Sequence, residues 1–148
     1  MSIVEDTEQD ALDLELADAT DLETGCWNNT WIELKDAIDI NGVYTYGANI
    51  LMINPFMLNF NQSETVYQVT QFDNDYQWLV AQNSADNASN PELWSKFEWA
   101  MDNAGDHYLC QSETDAATEQ DAIDAVGADS TDMLTGCNGT AWMLITLQ

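Results

Sequence analysis

Val66-Tyr67-Gln68-Val69-Thr70-Gln71-Phe72, then Asp73-Asn74-Asp75, then Tyr76-Gln77-Trp78-Leu79-Val80-Ala81-Gln82 is the stretch that decides the fold. Two runs rich in β-branched and aromatic residues flank three residues whose short polar side chains bond their own backbone, and that pattern is a β-hairpin. Tyr76, Trp78 and Val80 share a face of the second arm. After a polar loop over 83–92, Phe97, Trp99 and Met101 alternate against Lys96 and Glu98. Asp102-Asn103-Ala104-Gly105-Asp106 then reverses the chain into His107-Tyr108-Leu109-Cys110, a second hairpin.

Upstream, Ile38, Ile40, Gly42, Tyr44 and Tyr46 fall on one face of a strand that turns at Tyr46-Gly47. Ile50 to Ile53 forms another, ended by Asn54-Pro55, and Phe56, Leu58 and Phe60 alternate again. Trp31 to Leu34 is a short ambiguous run. Downstream the period changes. Ser112-x-x-Asp115 has the spacing of a capping box, and Ala116, Ala117, Ile123 and Val126 fall along one side of a helix ending near Gly127. Thr140 to Leu147 reads as the last strand. The expectation is a mainly β domain over 30–148, an antiparallel barrel of about eight strands with one short helix before the last. No βαβ alternation appears, which disfavours a parallel-sheet enzyme.

Residues 1–29 read as an acidic tail with nine acids and no base in its first 24 positions. Within it Leu12-Asp13-Leu14-Glu15-Leu16 alternates with the period of a half-buried strand, although Leu12 and Leu16 also suit a helix. A lone strand needs a sheet edge, its own or a neighbour's.

The 148 residues carry 27 Asp plus Glu against 2 Lys plus Arg, a net charge of −25. Binding to phosphate backbones runs on Lys and Arg, so nucleic acid and anionic membrane surfaces are excluded as partners. Cations, basic partners and the charge itself remain. Self-repulsion opposes the compact state and salt relieves it, which fits a habitat of high salt or abundant divalent cation. No apolar run is long enough to span a bilayer as a helix. The stretch Met1 to Asp6 lacks the basic-then-apolar order of a signal peptide, so the chain either stays inside or is the mature part of an exported protein.

Of three cysteines, Cys110 and Cys137 bracket the acidic helical segment and are expected to form a disulfide, which favours an extracellular or cell-surface location. Cys26 is left over, as a free thiol, an intermolecular bridge or a buried small side chain. Sequons stand at Asn28, Asn61, Asn87 and Asn138 and would permit surface glycans.

Signs of catalysis are lacking. His107 is the only histidine, on the opposite strand face from Cys110, so the two make a poor nucleophile pair. Clustered hard oxygens at Asp73 and Asp75, and at Asp129 and Asp132, admit Ca2+, but neither group has EF-hand spacing, and capping of their own turns is the simpler reading. No other cofactor is indicated. Tyr44, Tyr76, Trp78, Phe97 and Trp99 would line a barrel interior, either as packed core or around an apolar ligand.

Gly42-Val43-Tyr44, with Gly25-Cys26-Trp27 as a rival, resembles the first-strand G-x-W of lipocalin-like (calycin-type) barrels, with Tyr in place of Trp. The ordered set Phe72-Asp73-Asn74, Gln82-Asn83, Asn90-Pro91, Phe97-Glu98-Trp99, Tyr108-Leu109-Cys110, Gly136-Cys137 and Trp142 resembles bacterial secreted lipocalin-like proteins of uncharacterised function. The resemblance covers about two-thirds of the chain and leaves out 1–37; it implies a fold and export but no chemistry. Two roles follow. The first is a non-catalytic structural or self-assembling surface or filament subunit, its copies joined through Leu12, Leu14, Leu16 and Cys26. The second is a carrier of a small apolar ligand.

Overall fold

The computed structural model describes residues 37–61 and 65–148. Expectations resting on 1–36, including the tail boundary, Leu12, Leu14, Leu16, Cys26 and Asn28, lie outside the described residues.

Eight antiparallel strands close into an up-and-down barrel: β1 (Gly42–Tyr46), β2 (Asn49–Asn54), β3 (Met57–Phe60), β4 (Thr65–Asp73), β5 (Trp78–Asn83), β6 (Trp94–Met101), β7 (His107–Ala116) and β8 (Met143–Leu147). The helix α1 (Glu119–Asp124) precedes β8. Each strand pairs with the next, and β8 closes the ring on β1 through Tyr44 opposite Leu147 and Thr45 opposite Thr146. The order is consistent with a lipocalin-like fold. Closure gives each strand a partner on both sides over at least part of its length.

Inward positions follow the two-residue period. Leu51, Ile53, Leu58, Leu79, Leu109 and Ile145 are almost fully buried. β4 carries a bulge between Val69 and Gln71, so the inward set runs Tyr67, Val69, Phe72 rather than keeping strict alternation. Ile38 and Ile40 are buried ahead of β1 instead of belonging to it. They close one end of the barrel. Asn74 of the β4–β5 turn clasps this lead-in: the Asp39 N–H donates to its Oδ1 at 3.0 Å, and its Nδ2 donates to the Ala37 carbonyl at 2.9 Å. At Gly42 a Cβ would meet the movable end of the exposed Leu147 side chain at 2.8 Å and the Tyr44 ring at 3.2 Å, so this position of the G-x-W-like motif is close-packed.

Part of the outer wall is buried as well. α1 packs against β5, β6 and β7, burying Ala122 and Val80. The segment after it is a lobe held by the Cys110–Cys137 disulfide. With Ala100 and Trp142 these cysteines form a second small core outside the barrel. Three expectations are corrected here. β7 continues as a strand to Ala116, so Ser112 caps no helix, and Thr118 is the N-cap instead, its side chain accepting from the Asp121 N–H at 3.1 Å. Tyr76 does not line the interior: it sits in the β4–β5 turn and is 78 % exposed. Trp78 also lies outside, because Leu79 and Ala81 take the inward positions of β5.

Candidate functional site

The ends of the barrel differ. One is closed by Ile38 and Ile40 and by the β2–β3, β4–β5 and β6–β7 turns. At the other, the β5–β6 loop stands over a cavity of about 340 Å3 lined by Thr65, Tyr67, Asn83, Ser89, Asn90, Gln111 and Thr114, with Ala88.

An aromatic layer floors this cavity. The Tyr67 and Phe97 rings meet edge-on at 4.8 Å, Phe60 packs on both, and Tyr46 meets Phe60 at 5.4 Å. Such edge-to-face contacts fix ring orientation as well as burying area. Leu51, Ile53, Leu58 and Leu79 fill the interior along with this layer, so it is occupied by side chains where a long apolar ligand would lie.

Above the rings the inward side chains become polar. Asn83 is saturated: its Nδ2 donates to the Asn90 carbonyl at 2.7 Å and the Thr114 carbonyl at 3.2 Å, while its Oδ1 accepts from the Ser95 hydroxyl at 2.7 Å. Gln111 donates to Ser95 Oγ at 3.1 Å and to the Tyr67 hydroxyl at 3.4 Å. Two groups at the cavity wall therefore have no partner among the described residues for one of their functions: Oε1 of Gln111, an acceptor, and the hydroxyl proton of Tyr67, a donor. Burial holds the Tyr67 phenol above its ordinary pKa despite the Gln111 contact, so it stays a neutral donor. Among the described residues that line the cavity there is no carboxylate.

The loop over the cavity is anchored by Asn87. Its Oδ1 accepts from the Val66 N–H at 2.9 Å and its Nδ2 donates to the Val66 carbonyl at 2.8 Å, reproducing a strand pair with a side chain. Asn87 is 6 % exposed with its amide nitrogen engaged, and so is no surface glycan acceptor in the folded barrel. Asn61 and Asn138 are exposed, although Asn138 Nδ2 donates to the Ser112 carbonyl at 3.3 Å.

Of the five aromatics expected at the lining, Tyr44, Phe97 and Trp99 lie in the main core, and Phe97 packs behind the cavity-lining Tyr67 ring. Tyr67, Asn83, Ser95 and Gln111 were missed. The alternation that places Leu109 inward does extend to Gln111, but a polar residue beyond Cys110 gives no apolar signal. The His107 ring lies 6.2 Å from that of Tyr44, the two planes tilted by 58°. The candidate Ca2+ ligands serve turns: Asp73 accepts from the Tyr76 N–H, Asp129 from the Thr131 hydroxyl and N–H, and Asp132 from the Thr135 hydroxyl and from the Thr135 and Leu134 N–H groups. Asp75 is exposed beside Asp73. No group of three or more His, Cys, Asp or Glu poised for a metal occurs among the described residues.

No family model, no curated protein and no solved structure matches this chain. The open-end cavity thus stands on its own geometry.

Proposed function

We propose that the barrel is a non-catalytic, lipocalin-like carrier that takes a small, neutral, hydrogen-bonding ligand at its open end, outside the cell. The observation that carries this reading is the 340 Å3 cavity with a donor and an acceptor on its wall and a neutral polar lining among the described residues. Its volume is at the lower end of small-molecule sites, which mix an apolar surface with a few placed polar groups. Here the Tyr67 ring, with Ala88, supplies the apolar surface, and Gln111 Oε1 and the Tyr67 hydroxyl the polar groups. A charge of −25 repels anions, so hydroxylated or amide-bearing neutral compounds fit better than fatty acids. An oxidising compartment accords with the disulfide. Among the described residues no helix is long and apolar enough to cross a membrane.

Ligand-observed NMR of the full chain with a set of neutral polyols, amides and fatty acids tests this. The expected result is saturable binding by neutral polar compounds, lost at least tenfold in Gln111→Leu. Binding by fatty acids alone, or equal binding by Gln111→Leu, would contradict it.

A second reading, self-association, draws on the exposed side chains of Phe56, Tyr76, Met101 and Leu147 at the closed end. Asp39, Asp75 and Asp106 stand exposed at the same end and oppose the meeting of two copies. This reading expects association only at high salt, measurable by sedimentation velocity; a monomer at every salt concentration would end it.

A further inference from the structure

On the outside of the barrel, β7 faces the disulfide-held lobe. Ser112 lies two residues beyond Cys110 and so shares the face from which Cys110 reaches Cys137. Its side chain therefore points at the lobe. It is 5 % exposed, and its Oγ is the one buried side-chain polar atom among the described residues with no hydrogen-bond partner. Native interiors rarely leave such a group unmet. Ser112 lines a cleft of about 310 Å3 together with Asp129, Asp132, Thr135 and Asn138.

Three of these side chains, Asp129, Thr135 and Asn138, keep spare acceptor capacity among the described residues. Asp129 uses Oδ1 to cap its turn and leaves Oδ2 unbonded. The Thr135 hydroxyl gives its proton to Asp132 Oδ2, which leaves its own lone pairs over. Asn138 donates through Nδ2 and keeps Oδ1. The loop that presents them is wound tightly, since any Cβ on Gly136 would overlap the carbonyl oxygens of Asp129 and Asp132.

We propose that this cleft binds a single hard divalent cation of the Ca2+ class. The side chains offered are oxygen donors, with no thiolate or imidazole to attract softer metals. Ca2+ accepts six to eight oxygens in loose geometry and completes its shell with water or carbonyls, whereas Mg2+ demands a small, regular octahedron. Two carboxylates make a weak site, on the order of 10⁻⁴–10⁻³ M, the range of extracellular calcium modules. The bound ion would tie β7 to the lobe beside the disulfide.

Terbium titration of the full chain tests the site, because the Trp142 Nε1 donates to the Asp129 carbonyl at 3.1 Å and places an indole sensitiser beside it. The expected result is saturable, tryptophan-sensitised Tb3+ emission that Ca2+ displaces and Mg2+ at equal ionic strength does not. Asp129→Asn, which keeps the turn-capping Oδ1, should weaken binding at least tenfold. Ser112→Ala, which removes only an unbonded oxygen, should weaken it about threefold and carries the test if Asp129→Asn loosens the lobe. The double variant Asp75→Asn/Asp106→Asn, at the closed end of the barrel, should bind as the parent does. Emission that never saturates, displacement by Mg2+ as readily as by Ca2+, unchanged affinity in Ser112→Ala, or equal weakening by the closed-end pair would show a diffuse counterion cloud and overturn the proposal.

Discussion

Lys96 holds the only ammonium among the described residues, and it faces backbone rather than a carboxylate. Its side chain, on the outer face of β6, is buried under α1, and Nζ donates to the carbonyls of Ile123 and Ala125 at 3.2 and 3.0 Å. These carbonyls end a short helix, where a positive charge also meets the favourable end of the peptide dipoles. Lys96→Met should lower stability by about 1.5–3 kcal/mol, the value of hydrogen bonds to a charged group, and speed hydrogen exchange in 119–128 before the barrel. An unchanged urea midpoint would show that the ammonium contributes nothing. Glu98, two residues on, works on the same segment by accepting from the Ala128 N–H at 2.8 Å. Asn87 anchors the opposite loop in a comparable way. Asn87→Ala should cost about 1–3 kcal/mol, because the Val66 N–H and carbonyl lose their partner. Peptide mapping after expression in a glycosylating host should find Asn87 unmodified.

At the level of elements, the lobe between α1 and β8 depends on the disulfide more than the barrel does. The 27-residue separation of Cys110 and Cys137 implies about 3–4 kcal/mol in the chain-entropy model. Cys110→Ser/Cys137→Ser should lower the melting temperature and expose Trp142 to quenchers, while far-ultraviolet circular dichroism stays β-type. Loss of the β signal would show that the ring cannot close without the bridge. The strands themselves were legible because five of the seven connections carry plain turn or loop chemistry, as at Asp73-Asn74-Asp75 and Asp102 to Asp106. Which face of a strand points inward was legible only where the other face is polar. Lys96 and Glu98 reveal Phe97 and Trp99, but Trp78-Leu79-Val80-Ala81 is apolar throughout, since α1 buries Val80 on the outer wall as the interior buries Leu79. Residue size then favours Trp78 for the interior, whereas Leu79 takes it. The cavity was the least legible part, because its wall is built of Tyr67, Asn83 and Gln111, whose inward placement depends on strand lengths and on a bulge that sequence period does not reveal.

For the whole molecule, charge sets the conditions of stability. Backbone and hydroxyl donors hold four carboxylates below the ordinary range: Asp102 chiefly through the Asp106 N–H, Glu113 through the Asp115 N–H, Asp129 through the Thr131 hydroxyl and Asp132 through the Thr135 hydroxyl. A carboxylate depressed on folding stabilises above its unfolded pKa and loses that contribution as pH falls through the folded value, here from about pH 4 downward. Self-repulsion acts the other way and fades as carboxylates protonate. Thermal stability should therefore rise from pH 7 to about pH 5 and fall below about pH 4. Added salt should raise the melting temperature at pH 7 and do little near pH 4.5, where less charge remains to screen. A melting temperature flat in salt at pH 7 would show that the charge is already balanced within the fold. The central claim concerns the open end, and side-chain amide NMR reads it most directly. Titration with a neutral hydroxylated or amide ligand should shift the Gln111 and Asn90 amide resonances and the Tyr67 ring together, with one dissociation constant, while resonances of the closed-end turns stay still. Saturation with the Gln111 and Tyr67 signals unmoved would contradict the account.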